Sequence, residues 1–429
     1  MASFSIPLTG LKADATALNT IANNLANMST TAFKSESTNF SDLFYQEIGT
    51  TGAGNPIQVG AGTQVANTEI NFSDGTPNST GLDTDMALQG KGFFVAGNGS
   101  GGYEFTRAGN FSIDSNGNLV TSAGLNVMGY PAAGGVVNIN APLTAINIPI
   151  GQVQAPNATT SMSLTGNLDA SAATTPAASF PAQITIYDSL GEPHTLTATF
   201  TQVSTAAQPN TWGYSISLPA SDYAGTPPGA ISGTLSFNSS GTLTTVTPSG
   251  GSAIAVGPGS GSMNLSFPGL ADGASDLNIQ WNFLGSAGLP TITQVATDSA
   301  FPGTVQDGYA SGAYQGFSVG ADGTITATYS NGKSQDVGQL ALADVPNEQG
   351  LELLGDGNYG ATAASGTASI ATSGTNGLAK IEGGALEASN VNISSEFSNL
   401  IVAQRAFEAN AKSVTTFDTV TQDTINMVH

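Results

Sequence analysis

The chain has no cysteine. That excludes disulfide staples and thiolate metal or nucleophile chemistry, so packing and hydrogen bonds must hold the fold. Charge is the next scarcity: 9% of residues are charged, against ~25% in an ordinary soluble domain. The surface must therefore be built from Ser, Thr, Asn, Gln, Gly and Ala. Positive charge is scarcer still. It comes only from Lys12, Lys34, Lys91, Arg107, Lys333, Lys380, Arg405 and Lys412, with none between Arg107 and Lys333. A net charge of −22 argues against nucleic acid or an anionic membrane as partner. No stretch approaches the ~20 continuous apolar residues of a membrane span, so no membrane insertion is expected. The N-terminus lacks a basic region followed by an apolar run. No cleaved signal peptide is expected, and any export must read an uncleaved N-terminus. Histidine is limited to His194 and His429. A histidine metal site or a Ser-His-Asp triad has little to build on, and His194, beside Pro193, reads as an exposed turn residue.

The chain has 429 residues, of which 39% are hydrophobic, enough for several domains with real cores. At the start, Leu11, Ala15, Leu18, Ala22 and Leu25 recur in alternating steps of four and three, a heptad seam that Ile21 widens. Opposite them Asn19, Asn23 and Asn27 stack at i,i+4, an uncharged amide face on a helix although asparagine is a poor helix former. Asn27 and Ser29-Thr30-Thr31 are stop signals. At the far end Ile393, Phe397, Leu400, Phe407, Ala411 and Val414 form a second seam, drifting through Phe417 and Val420 toward Ile425 and Val428. Glu408 and Lys412 are spaced for an i,i+4 pair. Asn390 and Asn392 are both placed to cap this helix, with Ser394-Ser395 competing.

Everything between reads as strand and turn. Lys91–Ala96 and Tyr103–Thr106 flank a Gly-rich loop, and Gln183–Tyr187 and Thr195–Phe200 flank a turn at Asp188–Gly191. Trp212, Tyr214, Ile216 and Leu218 alternate, and Thr324–Tyr329 runs into the turn Asn331-Gly332. Many short strands of this kind predict sandwiches or barrels. Each terminal helix is either a surface helix on its own domain or one of a pair that associates with its mate and with other copies. An isolated pair is marginal when burial is set against backbone entropy, so the termini are expected to order on assembly.

Motifs for chemistry are weak. Gly97–Gly102 matches G-x-G-x-x-G, but a strand follows where a dinucleotide site needs a helix. Asp114–Asn118 begins like a calcium loop, yet Leu119 stands where Gly is required and no Glu follows at the twelfth position. Asp83 and Asp85 read as solvated turn acids rather than an acid–base pair. No catalytic residue, cofactor or metal is expected, and the chain does not read as an enzyme.

Ala22-Asn-Asn-Leu-Ala-Asn27 followed by Thr30-Thr-Ala-Phe-Lys34 resembles the N-terminal signature of the bacterial flagellar rod, hook and hook-associated proteins. Phe40–Phe44 continues it. Gly81–Phe94 and Thr106–Phe111 look like that family's internal motifs. Gly384–Val391 and Leu400–Phe407 are most like its hook members. The signature residues carried over are Asn24, Ala26, Phe33, Lys34, Gly384, Glu387, Asn390, Gln404 and Arg405. The likeness is specific over the first and last thirds of the chain and weak in the middle. One departure is Ala32, where the family often has Gly.

The resemblance implies a mainly β protein with a terminal α-helical coiled coil. Its N- and C-terminal helices pair around two β-rich domains, the second inserted in the first. The expected parts are terminal helices at 1–34 and 390–429, extended connectors at 35–75 and 365–389, an inner β domain at 76–145 and 300–364, and an inserted outer β domain at 146–299. The implied function is a structural subunit of the flagellar hook, a helical tubular homo-oligomer acting as universal joint between rod and filament. Implied partners are rod, hook-cap and hook–filament junction proteins and the flagellar type III export apparatus, with an extracellular location at the basal body and hook. Leu11, Leu18, Ile21, Leu25, Phe397, Leu400, Phe407, Val414 and Ile425 are expected to serve assembly, and Asn19, Asn23 and Asn27 to face a channel. Alternatives are a distal rod or hook–filament junction subunit, or a secreted β-rich adhesin with oligomerising termini. Trp212 and Trp281, however, sit in strand patterns that read as core rather than as a sugar platform.

Overall fold

A computed structural model describes residues 5–99, 101–257 and 260–427. Ser100 in the Gly-rich loop, Val428 of the C-terminal seam and His429 lie outside the described residues. The chain forms two helices, α1 (Ser5–Ala26) and α2 (Ile393–Met427), with short strands between them. The chain divides into two compact units.

The first unit comprises residues 1–150, 315–328 and 334–429 and holds both helices. Its central sheet places Phe93–Gly97 between Tyr103–Thr106 and Asn126–Ala133. Ser334–Asp344, the longest strand, pairs with Asn126–Ala133, Thr324–Tyr329 and Ser369–Thr372. Phe93, Val95, Phe105, Ala341, Ala343 and Tyr359 fill the core beneath it. Sequence-remote segments zip together at its margin. Met86–Gln89 pairs with Lys380–Gly383, and Pro77–Ser79 with Ala385–Glu387. The Gly-rich loop joins two strands of a hairpin, so the dinucleotide motif has no helix to serve. Asp114 closes a turn by accepting the N–H groups of Asn116 and Asn118, both at 2.8 Å.

The second unit comprises residues 151–314 and 329–333. The strand Ala300–Gln306 pairs antiparallel with Ser161–Asp169, which carries the unit past residue 299, where the sequence reading ended it. One sheet runs Ser179–Tyr187, Pro193–Gln202, Thr211–Ser217, Ile231–Phe237, Leu243–Pro248 and Ile254–Ala255, each beside the next. The other gathers Ser161–Asp169, Ser262–Phe267, Leu277–Asn282, Ile292–Val295 and Ala300–Gln306. Alternate side chains of both sheets meet in one core, with Trp212, Tyr214, Phe200, Trp281 and Phe283 at its centre. Trp281 packs at 4.6 Å from Phe283 and edge-on to Tyr214 at 5.6 Å. Both tryptophans are therefore core, and neither is available as a sugar platform.

His194 is not the exposed turn residue expected. It is buried, with Nδ1 2.9 Å from Asp222 and Nε2 3.3 Å from Asp188. The hairpin turns the ring inward because Pro193–Gln202 places alternate residues on the covered face. Burial pulls the imidazole pKa down, but the bonds to Asp222 and Asp188 outweigh it and the net shift is upward.

Asp307 ties two segments of this unit together. It accepts the N–H groups of Thr160 (2.9 Å) and Ser161 (3.0 Å) and the Thr160 hydroxyl (2.6 Å). Burial raises its pKa, these bonds lower it more, and the net shift is downward from 3.8. A carboxyl with a depressed folded pKa contributes stability above its unfolded pKa and loses it as pH falls through the folded value. Urea unfolding across the range of about pH 7 to about pH 3 is expected to show a shallower acid loss in Asp307→Asn than in the parent.

Candidate functional site

The terminal helices and the segments anchoring them form the candidate site. The two helices run antiparallel. Gly10 lies against Asn410, whose amide donates to Asp14 at 2.8 Å. Further along, Ala17 and Ile21 share a cleft with Glu396, Asn399, Ala403 and Ala406. α1 buries Pro7, Gly10, Ala13, Ala17, Thr20, Ile21 and Asn24, whereas α2 has no buried residue. The buried stripe of α1 is thus offset from the leucine seam and serves two neighbours: Gly10, Ala17 and Ile21 border α2, while Thr20 and Asn24 bond to the strand Glu36–Asp42. Helices approach closely only where side chains are short, so Gly and Ala take the inside and large residues move to the flanks.

The seam residues lie mostly outside this buried stripe. Ile21 is buried, but Leu11, Leu18 and Leu25 are only half-buried and Ala22 is exposed. On α2, Leu400 and Val414 are half-buried, and Phe397, Phe407 and Ile425 are exposed. Glu408 pairs with Arg405 at 2.9 Å instead of with Lys412, and both side chains are open to solvent. α1 ends at Ala26, and Asn27 donates to the Asn23 carbonyl at 3.0 Å. Asn19 and Asn23 are exposed, while Asn27 is half-buried beside a cleft lined by Leu353 and Tyr359. At about 100° per residue, Asn19 lies opposite the buried stripe and Asn27 at its edge.

The signature residues after α1 converge on a buried ionic clasp. Lys34 donates to Glu387 Oε1 at 2.7 Å, and both side chains are 1% exposed. Lys34 also donates to the Ser73 carbonyl at 2.8 Å. Arg107 reaches Glu387 Oε2 at 3.5 Å, Asp74 at 2.9 Å and the Gly90 carbonyl at 2.5 Å. Gly75 N–H adds a bond to Glu387 Oε1 at 2.8 Å. Two cations and two carboxylates balance, which is the condition for holding charge inside a fold. Burial and the Arg107 guanidinium push the Lys34 pKa below its ordinary value, against the pull of Glu387.

Two asparagines complete the anchor. Asn24 brackets Glu36, donating to its carbonyl at 2.7 Å and accepting its N–H at 2.9 Å. Asn390 accepts from Ser35 N–H and donates to the Asn71 carbonyl, both at 2.8 Å. That leaves Asn392 to cap α2, accepting from Ser395 N–H at 3.1 Å. Between them Ala32, at φ 54°, bends the chain so that its N–H meets the Glu387 carbonyl at 2.8 Å. Phe33 is carried in the same turn, its carbonyl accepting from Asn390 N–H at 3.2 Å. Gly384, at φ 71°, accepts from Thr80 N–H at 2.8 Å. Ala26 and Gln404 are exposed and take no part in the clasp. Sequence reasoning placed Arg107 in the Thr106–Phe111 motif without a role and did not single out Asp74. The available signal was that Arg107 is the last basic residue before Lys333.

The parts so described match a class of flagellar axial proteins. Residues 7–34 match the family "Flagella basal body rod protein", and residues 87–167 match "Flagellar hook protein FlgE/F/G D1 domain". Residues 157–309 match "Flagellar basal body protein FlaE D2 domain", and residues 382–427 match "Flagellar basal body rod FlgEFG protein C-terminal". The flagellar hook protein FlgE of Treponema pallidum is 34% identical, covering 100% of this chain and 99% of that protein. FlgE of Salmonella typhimurium is also 34% identical, covering 99% and 100%. The chain belongs to the flagellar hook protein family. The crystal structure of Helicobacter pylori hook protein FlgE2 shares the fold, with a TM-score of 0.53 at 15% identity over 71% of this chain and 99% of that one. The rod, junction and adhesin alternatives are not favoured.

Removing one partner from a buried ion pair leaves an uncompensated charge, at a cost of about 3–5 kcal/mol. Glu387→Ala is expected to lower the first unit's stability by that order in denaturant unfolding. Lys34→Met combined with Glu387→Met should recover most of the loss, since Arg107 keeps Asp74.

Proposed function

We propose that this chain is the repeating subunit of a curved hollow hook, the universal joint between rod and filament, whose inner wall is made of the paired terminal helices. The observation that carries this reading is α2 itself: a helix of 35 residues with no buried residue that leaves Phe397, Ile401, Val402, Phe407, Val420, Ile425 and Met427 exposed. Large apolar residues left open on several sides of so long a helix need neighbours. The ribbon of Tyr45–Thr50 and Pro56–Gly60 supports the same reading, with Tyr45, Ile48, Ile57 and Val59 exposed and Phe44 beside it. Copies of this chain are the neighbours that fit, and ordering of the termini accompanies assembly.

Rod, hook-cap and junction proteins are the proposed partners at the ends of the tube, and the type III export apparatus delivers the chain outside the cell with its N-terminus uncleaved. The role is mechanical, without catalysis or cofactor. Asn19 and Asn23 line the channel, where neutral amides neither trap apolar segments of passing chains nor bind charged ones. The sparse charge allows neighbouring subunits to slide as the tube bends, because few ion pairs hold one register.

Electron microscopy after salt-induced polymerisation tests the assembly. The full-length chain is expected to form curved tubes, and a chain lacking 1–30 and 390–429 none. Val402→Asp should abolish tubes and leave the monomer's melting temperature unchanged, because that side chain is 68% exposed. Straight rigid tubes would favour a rod subunit. Asn23→Lys is expected to slow hook growth, read as hook length against time, and unchanged growth would remove the channel role.

A further inference from the structure

The second unit holds a cluster that the assembly reading does not use. Asp188, His194 and Asp272 each bring a ligand atom within 4.8 Å of the others. They come from two segments of the chain, one hairpin and one later loop. Asp188 sits in the turn of the 179–202 hairpin and His194 at the start of the returning strand. Asp272 lies on the loop after Phe267, whose Ala271 N–H donates to the Asp222 carbonyl at 3.0 Å.

We propose that Asp188, His194 and Asp272 form a binding site for a divalent transition-metal ion that joins these segments. The donor chemistry carries this. Asp222 accepts from the ring at Nδ1 (2.9 Å), which turns Nε2 toward Asp188 and Asp272. A carboxylate behind the far ring nitrogen is the usual support of a metal-bound histidine. Asp188 is equally prepared: Oδ1 accepts from Leu190 and Glu192 N–H, both at 2.9 Å, and Oδ2 faces the ring. The 3.3 Å between Nε2 and that oxygen matches the roughly 3.3 Å separating neighbouring donors in a tetrahedral sphere with ~2.0–2.1 Å bonds.

Charge supplies a second reason. With a neutral ring, Asp188, Asp222 and Asp272 bring three negative charges together, and Lys333 is this unit's one Lys or Arg. Lys333 lies over the Tyr309 ring at 5.5 Å. A divalent ion held between them would supply the positive charge that this unit otherwise lacks. One nitrogen with two carboxylate oxygens suits zinc or a similar borderline ion better than calcium. In a chain without cysteine such an ion does the work of a crosslink between loops.

Isothermal titration of metal-free full-length protein with Zn2+, Mn2+ and Ca2+ tests the site. One Zn2+ per chain is expected, with weaker Mn2+ and no Ca2+ response, together with a rise in melting temperature that a chelator reverses. Asp272→Asn and His194→Gln should each lower zinc affinity at least about tenfold, and Asp222→Asn about 10–100-fold. Asp298→Asn, an exposed acid of the same unit that is not part of the cluster, should leave it unchanged. Asp272 is exposed, so its substitution tests the site even if the His194 variant misfolds, with circular dichroism reporting the fold. Absence of saturable zinc binding, binding indifferent to Asp272→Asn, or equal response to Ca2+ and Zn2+ would overturn the proposal and leave an ion pair.

Discussion

The first unit depends on one buried carboxylate. Glu387 accepts from Lys34, from Arg107 and from Gly75 N–H. These partners come from segments separated by up to 353 positions in the chain. A charge in a low-dielectric interior cannot shift or rotate freely without losing its compensation. The clasp therefore fixes where both ends leave the β body, and with it the register of α1 against α2. The amide brackets of Asn24 and Asn390 extend this control along the backbone on either side. In a chain so poor in charge, most of what a folded domain normally spreads over its surface is here absent, and part of what exists is placed inside.

Helix packing explains how a monomer is prepared for assembly. The face between α1 and α2 includes Gly10, Ala17, Ala403 and Ala406. Short side chains permit close approach and leave the large apolar residues directed elsewhere. Had the leucine and phenylalanine seams met within one chain, little apolar surface would remain for neighbours. The hook family membership and the exposed apolar residues of α2 agree in this respect. The second unit is organised differently. Its core is a conventional meeting of two sheets around aromatic residues, and its loops are tied by carboxylates to N–H groups and to one histidine.

Much of the architecture was legible because it rests on local periodicity. The period-two alternation of Trp212, Tyr214 and Ile216 marks a strand with one buried face, and the structure buries all three. The seven-residue recurrence at both ends marks helices, and the stop signals after Ala26 end the first where expected. The signature blocks gave the family. Lys34, Glu387 and Asn390 were named from those blocks, but nothing local indicated that they touch. Periodicity in the apolar seams reports which residues share a side of a helix and not what that side meets.

Sequence by itself determined the elements, the absence of crosslinks, the sparse charge and the family likeness, since each follows from residue type and spacing along the chain. Tertiary structure alone decided the partners. Arg107 with Asp74 and Glu387, and His194 with Asp188, Asp222 and Asp272, are pairings made by chain reversals whose geometry no spacing encodes. The turn at Ala32 and the bridging of Pro77–Ser79 with Ala385–Glu387 bring opposite ends of the chain to one point. Contact between residues hundreds of positions apart depends on the whole fold being closed, and only then do buried charges find their counterparts.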